Sequence, residues 1–441
     1  MAEIAPLTPL RYALGKTPSA ISSVVAPPYD VISPEQRAEL AARDPHNVVR
    51  LILPEGEGDT KYANAAALLE RWVESSVLVR DPEPAFYRYD QSFLPPGGVG
   101  HAIRRRGFLA LVRLVPLSAG IVLPHERTLT GPKEDRLKLF RATRTNLSPG
   151  FMLYRDANGL IDQPLQSAQP LAEFSTPDGI HHALAKVTAP DAIAAITEGV
   201  ARSTLLIADG HHRYETALRY AEEVSAANPG AGDRAEHRYF MTFLANGDDP
   251  NLVVFPTHRV VHSLPTFSYD GLLTRAADWF SVTPLARAVD APTALAALGD
   301  AGKVAPSFVA VASDGRAALL SLRSDVDVAR HPTLGERPAV LQRTDVAILH
   351  SAILEHVLGI TKEAQAAKTN LLYPQDAAHA MRDVRAGQAQ VVFLMNATPV
   401  KDVRRVAEAG EVMPQKSTFF HPKVLTGLAI HTLDPSREVE R

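Results

Sequence analysis

Apolar residues recur along this chain in two periods, and they predict alternating strands and helices. The run Val24 to Ile32 predicts a strand, a turn stiffened by Pro27 and Pro28, and a second short strand. Ser33-Pro34-Glu35-Gln36 follows as a helix start. Ser33 can cap it, Pro34 suits the first helical position, and Gln36 closes a capping box. That helix should end near Asp44-Pro45. The continuous apolar run Val48 to Leu53 predicts a strand stopped by Pro54. Ala65, Leu68, Leu69 and Trp72 are spaced for a helix over 62–75. Residues 86–93 and 107–115 predict a hairpin across Pro95-Pro96-Gly97-Gly98. A charged helix over 132–145 and a strand over 150–154 come next. Residues 205–208 then read as a buried strand and 211–224 as a helix, with further strands at 238–244 and 252–255.

Beyond Leu264 the texture changes. Residues 265–340 are Ala-rich, with alternating helix and strand signals and few chemically active side chains. A helix over 345–358, a strand over 391–395, a helix over 401–409 and a strand over 424–430 follow. Residues from Pro435 onward are polar and are expected to fray. No internal repeat is apparent. A length of 441 residues favours two or three domains. The expected fold is mixed α/β, with a core over 1–264, a smaller α/β domain or insertion over 265–345, and a C-terminal segment, 346–441, returning to the core.

Composition narrows the function classes. Apolar residues make up 46 %, enough for a substantial core. A net charge of −3 argues against a protein that coats nucleic acid, though a local basic pocket remains compatible with it. The absence of cysteine excludes thiolate nucleophiles, disulfides and Cys-ligated metal centres. The first twenty residues lack a basic start followed by an apolar run, and no 18-residue apolar stretch occurs. A cytoplasmic protein with a small-molecule substrate is the expectation, without nucleic-acid or membrane partners.

The chemistry concentrates in Leu205-Leu206-Ile207-Ala208-Asp209-Gly210-His211-His212-Arg213-Tyr214-Glu215-Thr216-Ala217. An apolar strand stops at Asp-Gly and a helix begins at once, with Tyr214, Ala217, Leu218 and Ala221 on one face. Two histidines and an arginine occupy its first turn, where the helix dipole disfavours cations. The arrangement becomes favourable when an anion sits at the helix start, held by backbone N–H groups, imidazoles and guanidinium together. Gly210 removes a side chain where the backbone must approach a ligand. Asp209 can hold a metal ion or orient an imidazole. Singly, each of these residues has a plain role as a cap, a surface group or an ion-pair partner; the four together point to a site. Adjacent helical residues diverge by about 100°, so His211 and His212 are poor joint ligands for one metal.

Other clusters are less specific. Asp30, after Pro27-Pro28-Tyr29, is a candidate carboxylate base or metal ligand, and equally a turn residue. His125-Glu126-Arg127-Thr128 gathers acid, base and cation in a loop, but Leu129 stands where a zinc helix needs its second histidine. Lys133 and Arg136 open the following helix. His258 reads as a structural histidine. Gly410 to Thr418 nearly matches a phosphate-binding loop, but Gln415 replaces its second glycine and Pro414 lacks an N–H. Lys416, Ser417, Thr418 and Lys423 remain candidates to reach a phosphate, or else form an ordinary basic loop.

From Val24-Val25-Ala26-Pro27-Pro28-Tyr29-Asp30-Val31-Ile32 to Met413-Pro414-Gln415-Lys416-Ser417-Thr418-Phe419-Phe420-His421-Pro422-Lys423, the chain resembles the bacterial and archaeal "domain of unknown function 1015" family. Ala208 to Ala217 is the run that carries the resemblance best. The same run resembles the Gly-x-x-Arg-x-x-Ala box of the ParB/sulfiredoxin superfamily, through Gly210, Arg213 and Thr216-Ala217. That resemblance implies a ParB/sulfiredoxin-like core and a helix start that holds nucleotide phosphates. Sulfiredoxins need a cysteine, and ParB proteins need a basic DNA-binding surface; neither is found here. Free serine kinases of this fold carry an Asp-Gly-His-His-Arg-like loop, and their chemistry is compatible with this sequence.

The resemblance therefore implies phosphoryl transfer between ATP or ADP and a small amino-acid hydroxyl, or its reverse on phosphoserine. Gly210, His211, His212 and Arg213 would hold phosphates. Asp209 would hold Mg²⁺ or orient a histidine, Glu126 or Asp30 would take the hydroxyl proton, and Lys416 or Lys423 would cover the transferred group. Two other readings stay open: a metal-dependent phosphohydrolase, and a non-catalytic nucleotide or metabolite sensor.

Overall fold

The computed structural model describes residues 1–13, 20–95, 100–126 and 130–440. The tip of the expected hairpin, 96–99, and Arg127, Thr128 and Leu129 lie outside the described residues. The chain forms two compact units. The first comprises Met1–Pro124, Thr128–Val253 and Pro422–Arg441, and the second His125–Arg127 and Val254–His421.

The first unit is built on a mixed nine-stranded sheet. Its strands run in the order Val122–Leu123, Leu205–Asp209, Gly150–Tyr154, Tyr239–Asn246, Ile103–Arg113, Phe86–Phe93, His181–Val187, Gln169–Ser175, with Ile4–Ala5 also pairing to Ile103–Arg113. Side chains alternate between the faces. On one face Phe108, Met152, Leu205, Ile207, Phe240 and Leu244 form a single core with Tyr214, Ala217 and Ala221 of helix His211–Ala227. Arg105, Phe151 and Phe243 belong to the alternate positions. A second core joins Val24, Val48, Leu51, Ile52, Leu69 and Trp72. The expected helix over 62–75 is present as Thr60–Glu74, and Ser33 and Gln36 form the expected capping box.

Four local expectations are corrected. Residues 24–32 do not form two strands: a one-turn helix, Ile21–Val24, is followed by a 3-10 turn, Tyr29–Val31. Pro27 and Pro28 have no N–H to give a ladder, and Ala26 makes an isolated bridge to Thr426. The run 48–53 is a buried turn of helix, Val49–Ile52. Asn47 imposes it, donating to the carbonyls of Ser23 and Val25 at 2.7 and 3.1 Å and accepting the Val49 N–H at 2.9 Å. A short, wholly apolar run has no period to distinguish helix from strand. Residues 424–430 touch partners through isolated bridges, Thr426 to Ala26 and Ile430 to Leu10, rather than as a strand. The tail from Pro435 is pinned. Val439 is buried, its N–H donates to the Arg234 carbonyl at 2.8 Å, and Arg437 reaches Glu236 at 3.1 Å.

The second unit carries a six-stranded antiparallel sheet, ordered Phe280–Pro284, Ala317–Leu322, Ser307–Ala312, Val391–Met395, Arg259–Val261, Leu371–Leu372. It is wider than the 265–345 segment marked out by composition. Val391–Met395 lies between Ser307–Ala312 and Arg259–Val261, which draws the chain as far as His421 into this unit. The expected helix over 345–358 starts as Asp345–Ile348 and widens to a π-helix over Leu349–Val357. The class is mixed α/β throughout. Among the described residues no helix is long and apolar enough to cross a membrane.

Candidate anion-binding site

Strand Leu205–Asp209 ends in an irregularity: pairing with Gly150–Tyr154 shifts register between Ile207 and Asp209, which stands opposite Phe151. Gly210 then turns the chain with φ of 92°, a left-handed conformation that suits glycine. Helix His211–Ala227 starts directly afterwards, with no side-chain cap and no acidic residue in its first turn. Its first turn therefore keeps the positive end of the helix dipole. Thr216 and Ala217 are buried, and the Thr216 hydroxyl donates to the His212 carbonyl at 2.6 Å. Ala217 of that box packs in the core shared with the sheet, while the Thr216 bond stays within the helix.

The charged groups centre on Asp209. Its Oδ2 accepts from Arg213 Nη2 at 3.2 Å and lies 3.5 Å from Lys423 Nζ. Arg213 is buried, and its Nη1 donates to the Pro149 carbonyl. A cavity of about 20 Å³ beside it, lined by Tyr29, Arg136, Ser148 and Arg213 among others, has room for a single water. His211 is buried and His212 half-buried. Tyr29 stacks under the Arg136 guanidinium at 4.2 Å. Burial raises the Tyr29 phenol, Asp30 raises it further, and Arg213 and Arg136 oppose the rise. Asp30 itself is exposed in the turn Tyr29–Val31.

One residue of this site was not singled out in the sequence. Arg105 is 1 % exposed. Its guanidinium lies 4.8 Å over the Phe151 ring and 5.3 Å from that of Phe243. Nη2 donates to Gln91 Oε1, while Nε and Nη1 have no hydrogen-bond partner among the described residues. Burial pushes its pKa down to about 10, against the opposing pull of Tyr89 and Asp209. Gln91 in turn donates to the Lys423 carbonyl at 3.0 Å. The signal was alternation: Arg104 and Arg106 both pair with Asp90, so the residue between them faces the other way.

Other candidates belong to the second unit. Glu126 Oε1 accepts the Ser417 N–H at 3.0 Å, and His125 Nε2 meets Thr418 Oγ1 at 2.9 Å. Lys416 is exposed, with φ of 57°. Its carbonyl accepts from Arg259 Nη2 at 3.1 Å. These contacts fasten residues 416–418 within their own unit. Asp209, Gly210, Arg213 and Lys423 are brought together in the first unit; Glu126, Lys416, Ser417 and Thr418 share the second. His258 is buried and accepts the Met395 N–H at 3.2 Å, a structural position.

Magnesium at Asp209 is a different matter. The carboxylate already faces Arg213 and Lys423, and among the described residues no three His, Asp or Glu side chains converge as ligands. This donor set does not fit a resident magnesium ion, which takes oxygen ligands in near-octahedral array.

Solved structures match this chain at low TM-scores. A free serine kinase in complex with AMP matches with a TM-score of 0.36 and 13 % identity, over 72 % of this chain and 89 % of that one. A variant of a free serine kinase in complex with ADP gives 0.36 and 12 %, over 72 % and 90 %. A conserved hypothetical protein from Pyrococcus furiosus gives 0.35 and 14 %, over 72 % and 93 %. Likenesses this remote assign no role to a residue. No curated protein matches the sequence. The family described as "Protein of unknown function (DUF1015)" matches residues 4–347, well over half of the chain, and the protein belongs to that family.

Proposed function

We propose that the start of helix His211–Ala227 binds the phosphates of a nucleotide, and that the protein transfers a phosphoryl group to or from a small amino-acid hydroxyl. One observation carries this reading: three cations, Arg105, Arg213 and Lys423, act on the Asp209 carboxylate beside a helix start whose N-cap residue is glycine. An oxyanion ligand is favoured where these cations and the helix start meet. The resemblance of Ala208–Ala217 to the loop of free serine kinases points to the same chemistry.

Phosphoryl transfer depends on positioning and charge stabilisation more than on covalent catalysis. Arg213, Lys423 and the helix N–H groups hold the phosphates. The acceptor hydroxyl oxygen bonds to phosphorus as the bond to the nucleotide oxygen breaks, and the leaving nucleotide keeps that electron pair. Asp30, exposed beside Tyr29, takes the hydroxyl proton. Glu126 has a competing task in holding the Ser417 N–H.

The test is a thermal-shift screen of ADP, ATP, serine and phosphoserine, followed by a turnover assay. A ligand of this site stabilises the parent by about 2.7 kcal/mol at a hundredfold excess over its dissociation constant. Arg213→Ala loses that response. A parent protein that neither binds nor turns over any of these compounds ends the proposal. Saturable binding without turnover supports the sensor reading instead.

A further inference from the structure

We infer that Arg105 is a second anion receptor of this site, contacting an oxyanion of the bound ligand from the sheet face while the helix start holds the phosphates. The inference rests on the phosphate-binding reading above and adds to it a residue from another element.

Among the described residues Arg105 has one hydrogen-bond acceptor, Gln91 Oε1, and its Nε and Nη1 have none. Unsatisfied donors on a fully buried charged group are costly, and folded proteins rarely keep them without a partner. Two neighbours of the guanidinium give the cation ring faces rather than lone pairs: Phe151 at 4.8 Å and Phe243 at 5.3 Å. The architecture nevertheless makes room for it. Gly107 follows on the same face of the strand, where a Cβ would stand 2.3 Å from the Phe243 ring. Glycine there lets Phe243 lie against the strand, beneath the arginine.

The arginine is also directed toward the site. Phe151, over which it lies, is the cross-strand partner of Asp209. Gln91, its acceptor, is tied to the backbone of Lys423, whose ammonium faces Asp209. A cation walled by aromatic rings sits in a low dielectric, where an arriving oxyanion is bound more strongly than at the surface. The ligand group is an oxyanion with at least one oxygen for Nε or Nη1. A phosphoryl oxygen of the nucleotide and the carboxylate of an amino-acid substrate both provide it.

The experiment compares the full-length parent with Arg105→Met, a substitution that keeps the length and apolar stem without the charge. Binding of inorganic phosphate, ADP, serine and phosphoserine is measured by calorimetry, and ligand-free melting by circular dichroism. The expected result is an affinity loss of tenfold or more, with ligand-free Tm unchanged or raised, because removing an unsatisfied buried charge relieves its desolvation. Loss for phosphate and ADP assigns the oxyanion to the phosphoryl group. Loss for serine and phosphoserine, with phosphate and ADP retained, assigns it to the carboxylate. Unchanged affinity for every compound the parent binds overturns the inference and leaves the proposed function standing. A parent that binds none of the four removes both. Should Arg105→Met fail to fold, Arg105→Lys decides: parental affinities overturn the role, and a tenfold loss in a folded protein upholds it.

Discussion

Arg105 in the first unit and Arg259 in the second are both shut off from solvent, and burial lowers both to a pKa of about 10. Their surroundings differ. Arg259 donates from all three nitrogens: Nε to His350 Nε2 at 2.9 Å, Nη1 to the Thr257 carbonyl, and Nη2 to the Lys416 carbonyl at 3.1 Å. Tyr373 covers its face at 4.8 Å. Among the described residues Arg105 has a single acceptor and two aromatic faces. Burial and a depressed pKa are thus shared by both arginines and separate nothing. The count of satisfied donors separates a guanidinium that holds a fold together from one kept for an incoming partner.

The largest expected effect lies on the structural side of this comparison. Arg259→Met strands two carbonyls and a histidine nitrogen at once and should cost about 3–5 kcal/mol, by analogy with breaking a buried pair. Urea unfolding measures it, and a loss under about 1 kcal/mol would remove the contrast with Arg105.

Acid should sharpen the same difference. His350 Nδ1 donates to Gln365 Oε1 at 2.8 Å, so its Nε2 is free of a proton and accepts from Arg259. Burial first, and then Arg259, lower its pKa from 6.5 to about 3. The unfolded chain therefore binds a proton that the folded chain refuses. Above the unfolded value the group costs nothing, and stability falls as pH drops from 6.5 toward 3. His350→Gln should flatten that slope by about 1.4 kcal/mol per pH unit, read from urea midpoints taken between neutral and acidic pH. Equal slopes in parent and variant would refute the account.

On the ligand side, Arg213→Ala removes one charge-assisted contact and should weaken ADP binding by about 1.5–3 kcal/mol, measured by calorimetry. The smallest effect is expected at the turn. Gly210→Ala places a side chain at φ of 92°, with its Cβ 3.1 Å from the Arg213 guanidinium. It should cost about 1 kcal/mol of stability in urea unfolding, together with a measurable drop in ADP affinity. Parental values for both would show that the glycine is not needed for close approach.

Much of this was legible in the residues themselves. Ser33 and Gln36 cap a helix through their own side chains, and Ala65, Leu69 and Trp72 mark a buried stripe. The strand, turn and helix from Leu205 to Ala227 follow from an apolar run, an Asp-Gly break and a helical period. Each depends on neighbours a few positions away, where dihedral preference and side-chain spacing act directly. Lys423 was a candidate to reach a phosphate in the sequence, but its place beside Asp209 was not legible there.

Tertiary structure decided the rest. Asn47 coiled an apolar run that reads as a strand, because its acceptors are the carbonyls of Ser23 and Val25. Arg437 and Val439 pinned a polar tail through Glu236 and Arg234. Arg105 sits within an Arg-Arg-Arg triplet, and only strand pairing shows that it faces Gln91 and lies over Phe151 and Phe243. A residue's local preference is written in its own short segment. Its burial and its partners depend on the register of strands far away in the chain, and that register is settled only when the whole sheet closes over its core.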